Sequence, residues 1–247
     1  KALDSGLNRI KQNLNRSVEK DRITAVVATE SLARIRTSEE FSPLETADFV
    51  IEAAIEDLNI KRDIFQKLDA MLNPEAIFAT NTSSLSITSI AATVKRTGNV
   101  VGMHFFNPPP LMKLVEVVKG KQTSDETAAV TVELARRMGK APVICKDTPG
   151  FIVNRVARPF YGEALRLLGE GVATVEEIDR IVKLEGGFKM GPFELMDLIG
   201  IDVNYAVTKS VYEQFFHEPR FRPHPIQRQM VEAGTLGRKT KRGFYQY

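Results

Sequence analysis

An imidazole and a carboxylate twelve residues apart are the groups in this sequence best suited to managing a proton. His104 ends the apolar stretch Val100-Val101-Gly102-Met103 and is followed by Phe105, Phe106, Asn107 and the stiff run Pro108–Pro110. Glu116 sits inside Leu114-Val115-Glu116-Val117-Val118, an apolar strand pattern where a carboxylate is costly unless paired. Histidine beside a buried carboxylate has its tautomer held and its basicity raised, which suits a general base. Each residue also has a plainer reading. A lone histidine is most often a hydrogen-bonded structural residue, and Glu116 on an edge strand would face solvent.

Two further polar stretches accompany them. Asn81-Thr82-Ser83-Ser84 follows the short apolar segment Ala76–Thr80. Small polar residues at the carboxyl end of a strand lie where open α/β sheets bind ligands, yet the same residues are good caps for a helix starting near Ser86. Asn154 follows Ile152 and Val153 after the turn Thr148-Pro149-Gly150 and is expected to point back toward the cleft. Gly191–Asp197 reads as a turn and a helix start with a structural role. His217 and His224 fall in a proline-rich loop and receive no role, and Cys145 is expected to be buried filler in an apolar strand.

The elements that must position these groups follow from periodicity. Leu3, Leu7, Ile10, Leu14 and Val18 form one helical stripe, and a second helical piece covers 23–35. Strand-like and helix-like segments then alternate: a buried strand at 49–54, helix 60–72, strand 76–80, helix 86–94, strands 100–103 and 113–118, helix 126–138 and strand 142–145. Such alternation predicts an α/β layer on a largely parallel sheet. After Pro149 only helices are predicted, near 153–168, 175–184, 193–198, 203–215 and 226–233, so a domain boundary is placed at 148/149.

Composition narrows the function classes. The chain has 247 residues, 43% of them hydrophobic and 26% charged, enough for a packed core. The net charge of +3 is dispersed, so neither nucleic acid nor an anionic membrane is expected as a partner. One cysteine and three histidines in no tight spacing point to no disulfide, no metal centre and a reducing, cytoplasmic setting. No apolar run approaches membrane-spanning length.

The same stretches resemble the 3-hydroxyacyl-CoA dehydrogenase family. The similarity runs through Val50–Glu56, Asn81–Ile87, His104–Pro108, Met112–Val117, Asp147–Arg155, Met190–Pro192 and Gly237–Thr240, in order over nearly the whole chain. It implies reversible NAD-dependent oxidation of a 3-hydroxyacyl-CoA to the 3-oxoacyl-CoA, in fatty-acid or aromatic-acid breakdown. It also implies His104 as base, Glu116 as its orienting partner, and Ser83 and Asn154 as hydrogen-bonding groups at the reacting oxygen. Cofactor contacts carried over by position are Glu56, Lys61, Asn81, Ser83, Asn107 and Lys239, and a homodimer through the helical part is expected. Segment 202–247 is similar to both the 3-hydroxybutyryl-CoA and the 3-hydroxyadipyl-CoA enzymes.

One departure bears on the cofactor. The family opens with a strand, a G-x-G-x-x-G turn, a helix and a second strand, a unit on the order of 30 residues, and none of it occurs in residues 1–247. The expected fold is therefore a truncated Rossmann-like, doubly wound parallel sheet (1–148) followed by an all-helical C-terminal domain (149–247), with raw sheet edges and weakened NAD binding. Two other classes fit the residues less well. A non-catalytic, crystallin-like descendant has no use for His104, Glu116, Ser83 and Asn154 together, and a hydroxyacid dehydrogenase with a catalytic lysine does not match His104–Pro108.

Overall fold

Alternating apolar patterns become a five-stranded sheet here because helices cover both faces of its middle strands. The structure, a computed structural model, describes all residues 1–247 and divides into two compact units, 1–47 with 71–73, and 48–70 with 74–247. The first contains α1 (Ala2–Glu19) and α2 (Ala25–Ala33). Thr24 caps α2 by accepting from the Val27 N–H at 3.2 Å. The predicted stripe of α1 is present, but no residue of that helix is buried.

In the second unit the strands are β1 (Phe49–Glu52), β2 (Ile77–Thr80), β3 (Val100–Phe105), β4 (Leu114–Lys119) and β5 (Ala141–Lys146), ordered consecutively across the sheet. Their connecting helices are α3 (Leu58–Met71), α4 (Ile87–Ala91) and α5 (Asp125–Arg137). All neighbours are parallel except β3 and β4, which are antiparallel. The link 106–113 is shorter than the dozen or so residues a parallel crossover needs, so β4 must return alongside β3. The sheet is thus dominated by parallel pairing with one reversal.

Every residue of β2 is buried, as a strand covered on both faces requires. Ile77 and Ala79 join Val101, Met103, Val115, Val117 and the α5 residues Val132 and Ala135 in one apolar cluster. Phe78 points the other way, 6.0 Å from the Phe65 ring of α3. The ends of α5 suit its dipole: Ser124 caps it, Asp125 and Glu126 open it, and Arg136 and Arg137 close it.

Two expectations are corrected at the sheet edges. Segment 49–54 is not a fully buried strand, since β1 is an edge with Ile51 37% exposed and only Glu52 buried. Cys145 is half-buried rather than buried, because β5 is the other edge. Burial, followed by the nearby charges of Glu116 and Asp147, still pushes its thiol up to about 12.

The all-helical remainder comprises α6 (Val153–Gly169), α7 (Val175–Leu184), α8 (Pro192–Ile199), α9 (Ile201–Gln214) and α10 (Pro225–Glu232). Tyr161, Ala164 and Leu165 of α6 pack with Ile178 of α7 and with Phe193 and Met196 of α8. Gly191–Asp197 does act structurally. Buried Asp179 accepts the Phe193 and Glu194 N–H groups at the start of α8, and buried Asp197 accepts those of Phe244 and Tyr245. A Cβ on Gly191 would lie 2.2 Å from the Asp179 carboxyl carbon, so the turn has no room for a side chain.

Gly102 is the tightest point between α4 and the sheet, where an added Cβ would meet Val118 at 2.7 Å and Ile87 at 2.9 Å. Gly102→Ala is expected to destabilise the fold by about 1–3 kcal/mol. A lower urea midpoint at unchanged m-value would show it.

Candidate active site

Antiparallel pairing of β3 with β4 sets His104 directly opposite Glu116. Cross-strand neighbours project on the same face of a sheet, and here the two side chains meet, His104 Nδ1 to Glu116 Oε2 at 2.7 Å. Glu116 is 1% exposed and His104 5%, which removes the solvent-facing reading of Glu116. An ionised carboxylate only accepts, so the shared proton resides on Nδ1 and Nε2 keeps a free lone pair. The imidazole is walled by the rings of Phe106 and Phe151, with centroids at 4.6 and 5.7 Å.

The other oxygen of Glu116 is held from the helical part. The backbone N–H groups of Ile152 and Val153 both donate to Oε1 at 2.9 Å. These residues are the cap and first position of α6, so two backbone donors that the helix cannot satisfy itself end on this carboxylate. The turn that brings them there uses left-handed backbone at Gly150 (φ 74°) and Phe151 (φ 48°). A side chain on Gly150 would press on Val211 of α9 at 3.0 Å and on the Arg155 nitrogen at 3.1 Å.

The polar run after β2 is not a helix cap. Ser86 itself caps α4, accepting from Ser89 N, while Asp147 accepts from the Ser86 hydroxyl and Thr88 N at 2.8 Å each. Residues 82–84 instead wrap the carboxylate of Glu56, whose Oε1 accepts from the Thr82 hydroxyl (2.6 Å), Ser83 N (2.9 Å), the Ser83 hydroxyl (3.2 Å) and Ser84 N (3.1 Å). Burial raises the pKa of Glu56, but the Thr82 and Ser83 hydrogen bonds and the Lys61 charge outweigh it and hold the carboxyl below its usual range. Asn81 Oδ1 accepts from Phe105 N at 2.8 Å, joining the end of β2 to the end of β3 beside His104. Asn154 Nδ2 donates to the Ser83 carbonyl at 3.2 Å, and Gln214 Nε2 at the end of α9 to that of Ser84 at 2.9 Å.

Glu56, Asn81, Ser83 and Asn154 are therefore brought together around the loop at the carboxyl end of β2, with His104 and Glu116 on the adjoining strands. Asn107 is exposed in the link after β3. Lys239 is not part of this group. It pairs with Asp202 at 2.5 Å near the start of α9, whereas the Gln214 end of that 14-residue helix, about 20 Å away along its axis, touches the site. A carboxylate, an amide and a hydroxyl offer the donors and acceptors that the carboxamide and ribose hydroxyls of a nicotinamide nucleotide require, so the residues present fit that end of NAD.

Sequence reasoning missed the support beneath Lys61. Lys61 and Glu52 both have side chains 1% exposed and pair at 2.8 Å, and Thr80 donates to Glu52 at 2.6 Å. Lys61 Nζ also lies 3.5 Å from Glu56 Oε2. It is thus a buried cation between two carboxylates. A carboxylate inside Phe49-Val50-Ile51-Glu52 was as conspicuous a signal as Glu116 in its own strand.

The chain matches known proteins over nearly its whole length. Residues 1–148 match the family model described as 3-hydroxyacyl-CoA dehydrogenase, NAD binding domain, and residues 150–247 the one described as 3-hydroxyacyl-CoA dehydrogenase, C-terminal domain. A 3-hydroxybutyryl-CoA dehydrogenase of Clostridioides difficile is 44% identical over 246 residues, covering 100% of this chain and 87% of the relative. A 3-hydroxyadipyl-CoA dehydrogenase of Escherichia coli is 47% identical over all of this chain, which spans only 52% of that relative. Solved structures of 3-hydroxybutyryl-CoA dehydrogenases from Escherichia coli and Ralstonia eutropha superpose with TM-scores of 0.96 and 0.95 at 47% and 43% identity. They cover 99% of this chain, which in turn spans 52% and 86% of theirs.

Lys61→Met is expected to cost about 3–5 kcal/mol by leaving Glu52 buried and unpaired, and adding Glu52→Gln to recover most of it. Denaturant unfolding of the two variants checks this.

Proposed function

Since the chain belongs to the 3-hydroxyacyl-CoA dehydrogenase family, we propose that it interconverts (S)-3-hydroxyacyl-CoA and 3-oxoacyl-CoA with NAD, His104 being the base. The observation that carries this reading is the buried His104–Glu116 contact, with Glu116 itself held by the first N–H groups of α6. NAD, when bound, supplies the hydride acceptor, and the protein supplies orientation and proton handling.

With the Nδ1 proton held by Glu116, Nε2 of His104 is free to take the proton of the 3-hydroxyl group. The imidazolium so formed faces a carboxylate already prepared for it, so little reorganisation accompanies the transfer. In the reverse direction the same nitrogen returns the proton to the oxygen. Asn154, which bonds the Ser83 carbonyl, and Ser83 are assigned to the reacting oxygen, and the rings of Phe106 and Phe151 wall the imidazole.

Glu56, Asn81, Ser83 and Asn107 are assigned to the nicotinamide end of the cofactor. Lys61 and Lys239 are assigned to the cofactor by similarity, and Lys61 also positions Glu56. We place the division between the dinucleotide-binding and helical parts at 148/149. A homodimer through the helical part accords with exposed Val156, Ile181, Leu184 and Val203, and a reducing, cytoplasmic setting suits the single free cysteine. A non-catalytic role finds no support, because the relatives above are dehydrogenases by name and a buried acid–imidazole pair has no purpose in a scaffold. Their names span butyryl and adipyl chains, so the acyl group needs its own evidence.

In full-length protein, NADH oxidation driven by acetoacetyl-CoA is expected, and His104→Gln should lower kcat by ~10²–10⁴. KM for NADH should change little. Equal rates for variant and wild type would refute the assignment.

A further inference from the structure

Two side-chain amides reach the loop after β2 from the helical part, and the proton chemistry gives a role to only one of them. Asn154 of α6 donates to the Ser83 carbonyl at 3.2 Å, and Gln214, the last residue of α9, donates to the Ser84 carbonyl at 2.9 Å. On the other side of the same two residues, the Ser83 and Ser84 N–H groups both end on Glu56 Oε1, at 2.9 and 3.1 Å. The backbone that carries the Ser83 side chain is thus held from both sides, its donors by a carboxylate and its carbonyls by two amides.

Gln214 is the fixed partner of its pair. Both hydrogens of its amide are committed, since Nε2 donates to Ser210 Oγ one turn back at 2.8 Å as well as to Ser84. The end of α9 that carries it is seated independently of the loop. Val211 is fully buried, and the Phe215 ring packs on the Arg155 guanidinium of α6 and on the Phe221 ring, each at 4.9 Å. Further along, Arg158 of α6 ties the two helices together by donating to the Asn204 carbonyl and the Thr208 hydroxyl of α9 at 2.9 and 2.8 Å. Residues 81–84, by contrast, are all small and polar and bring no large apolar side chain to anchor them. A bond from a seated group to a loop without apolar anchors sets the place of the loop.

We propose that Gln214 is a positioning residue for hydride transfer: by holding the Ser84 carbonyl it fixes the backbone at Ser83, and with it the hydroxyl assigned to the reacting oxygen. The proposal rests on the dehydrogenase reading and on the role given there to Ser83. Without the bond from α9, the chain after Ser83 is free to turn about its backbone dihedrals. A displacement of the hydroxyl by ~1 Å costs up to about 10²-fold in rate. The rival reading is a strut, in which Gln214 only helps to hold α9 in place. A strut would matter for unfolding and not for what the Ser83 hydroxyl does.

The test measures hydride transfer from NADH to acetoacetyl-CoA in a single turnover of the full-length enzyme, which separates the chemical step from binding and release. Gln214→Leu is expected to slow it by about 10–100-fold. Ser83→Ala should slow it by about 10²–10³-fold, the scale of losing one donor at a reacting oxygen. In the Ser83→Ala background, Gln214→Leu should add no more than about twofold, because its effect runs through a hydroxyl already removed. Should Gln214→Leu fail to fold, Gln214→Glu, of the same shape but without the donor at neutral pH, takes its place in the cycle. Factors that multiply in the double variant, or a wild-type rate in the Gln214 variant whatever its stability, would overturn the proposal and leave the dehydrogenase reading intact. A full rate in Ser83→Ala would overturn the proposal together with the assignment of Ser83. Inactivity of wild type toward every 3-oxoacyl-CoA would remove the reading itself.

Discussion

One contact organises this protein: an imidazole and a carboxylate locked across two antiparallel strands, with the carboxylate gripped from behind by a helix. The reversal of β4 against β3 is the sole antiparallel step in the sheet, and it is what makes His104 and Glu116 neighbours. A parallel β4 would carry a different register and place the two residues elsewhere. Glu116, 1% exposed, then needs a partner for its second oxygen. The open end of α6 supplies it through Ile152 and Val153. Sheet and helical part thus share one side chain, and the geometry of the base depends on both.

A second ionic cluster steadies the ligand side. Glu52, Lys61 and Glu56 alternate in charge from the sheet edge outward, and the last of them pins the loop that carries Ser83. Buried ion pairs contribute little net stability, but removing one member is costly. The arrangement therefore fixes position more than it strengthens the fold. It lets a short loop of small polar residues hold one conformation at the strand end, where a flexible loop would otherwise have to be ordered by the ligand.

Much of this was legible in the residue pattern. The helix and strand segments follow from apolar periodicity, and the His104–Glu116 pair from a carboxylate in an apolar strand. What was not legible depended on context that no local pattern holds. Whether segment 49–54 or the strand bearing Cys145 is central or at an edge is set by strand order, so both were read as more buried than they are. Whether Asn81–Ser84 caps a helix or binds a carboxylate turned on Ser86 being the cap and on Glu56 lying 27 residues upstream of Ser83. Lys239 is placed at the cofactor by similarity alone, and in the structure it pairs with Asp202. Arg158 and Asn204 gave no signal as isolated letters. Only the packing of α6 on α9 shows Arg158 bonded to α9 and Asn204 Nδ2 without an acceptor.

The claim beneath the whole account is that Glu116 holds the proton on Nδ1 of His104 and leaves Nε2 unprotonated. Nitrogen-15 NMR of the protein labelled at histidine, resolved by a His104→Gln spectrum, reads this directly at a pH where the imidazole is neutral. The account predicts the Nδ1–H tautomer for His104, and loss of that preference in Glu116→Gln, whose amide no longer demands a proton. A neutral His104 carrying its proton on Nε2, or a tautomer indifferent to Glu116, would contradict it.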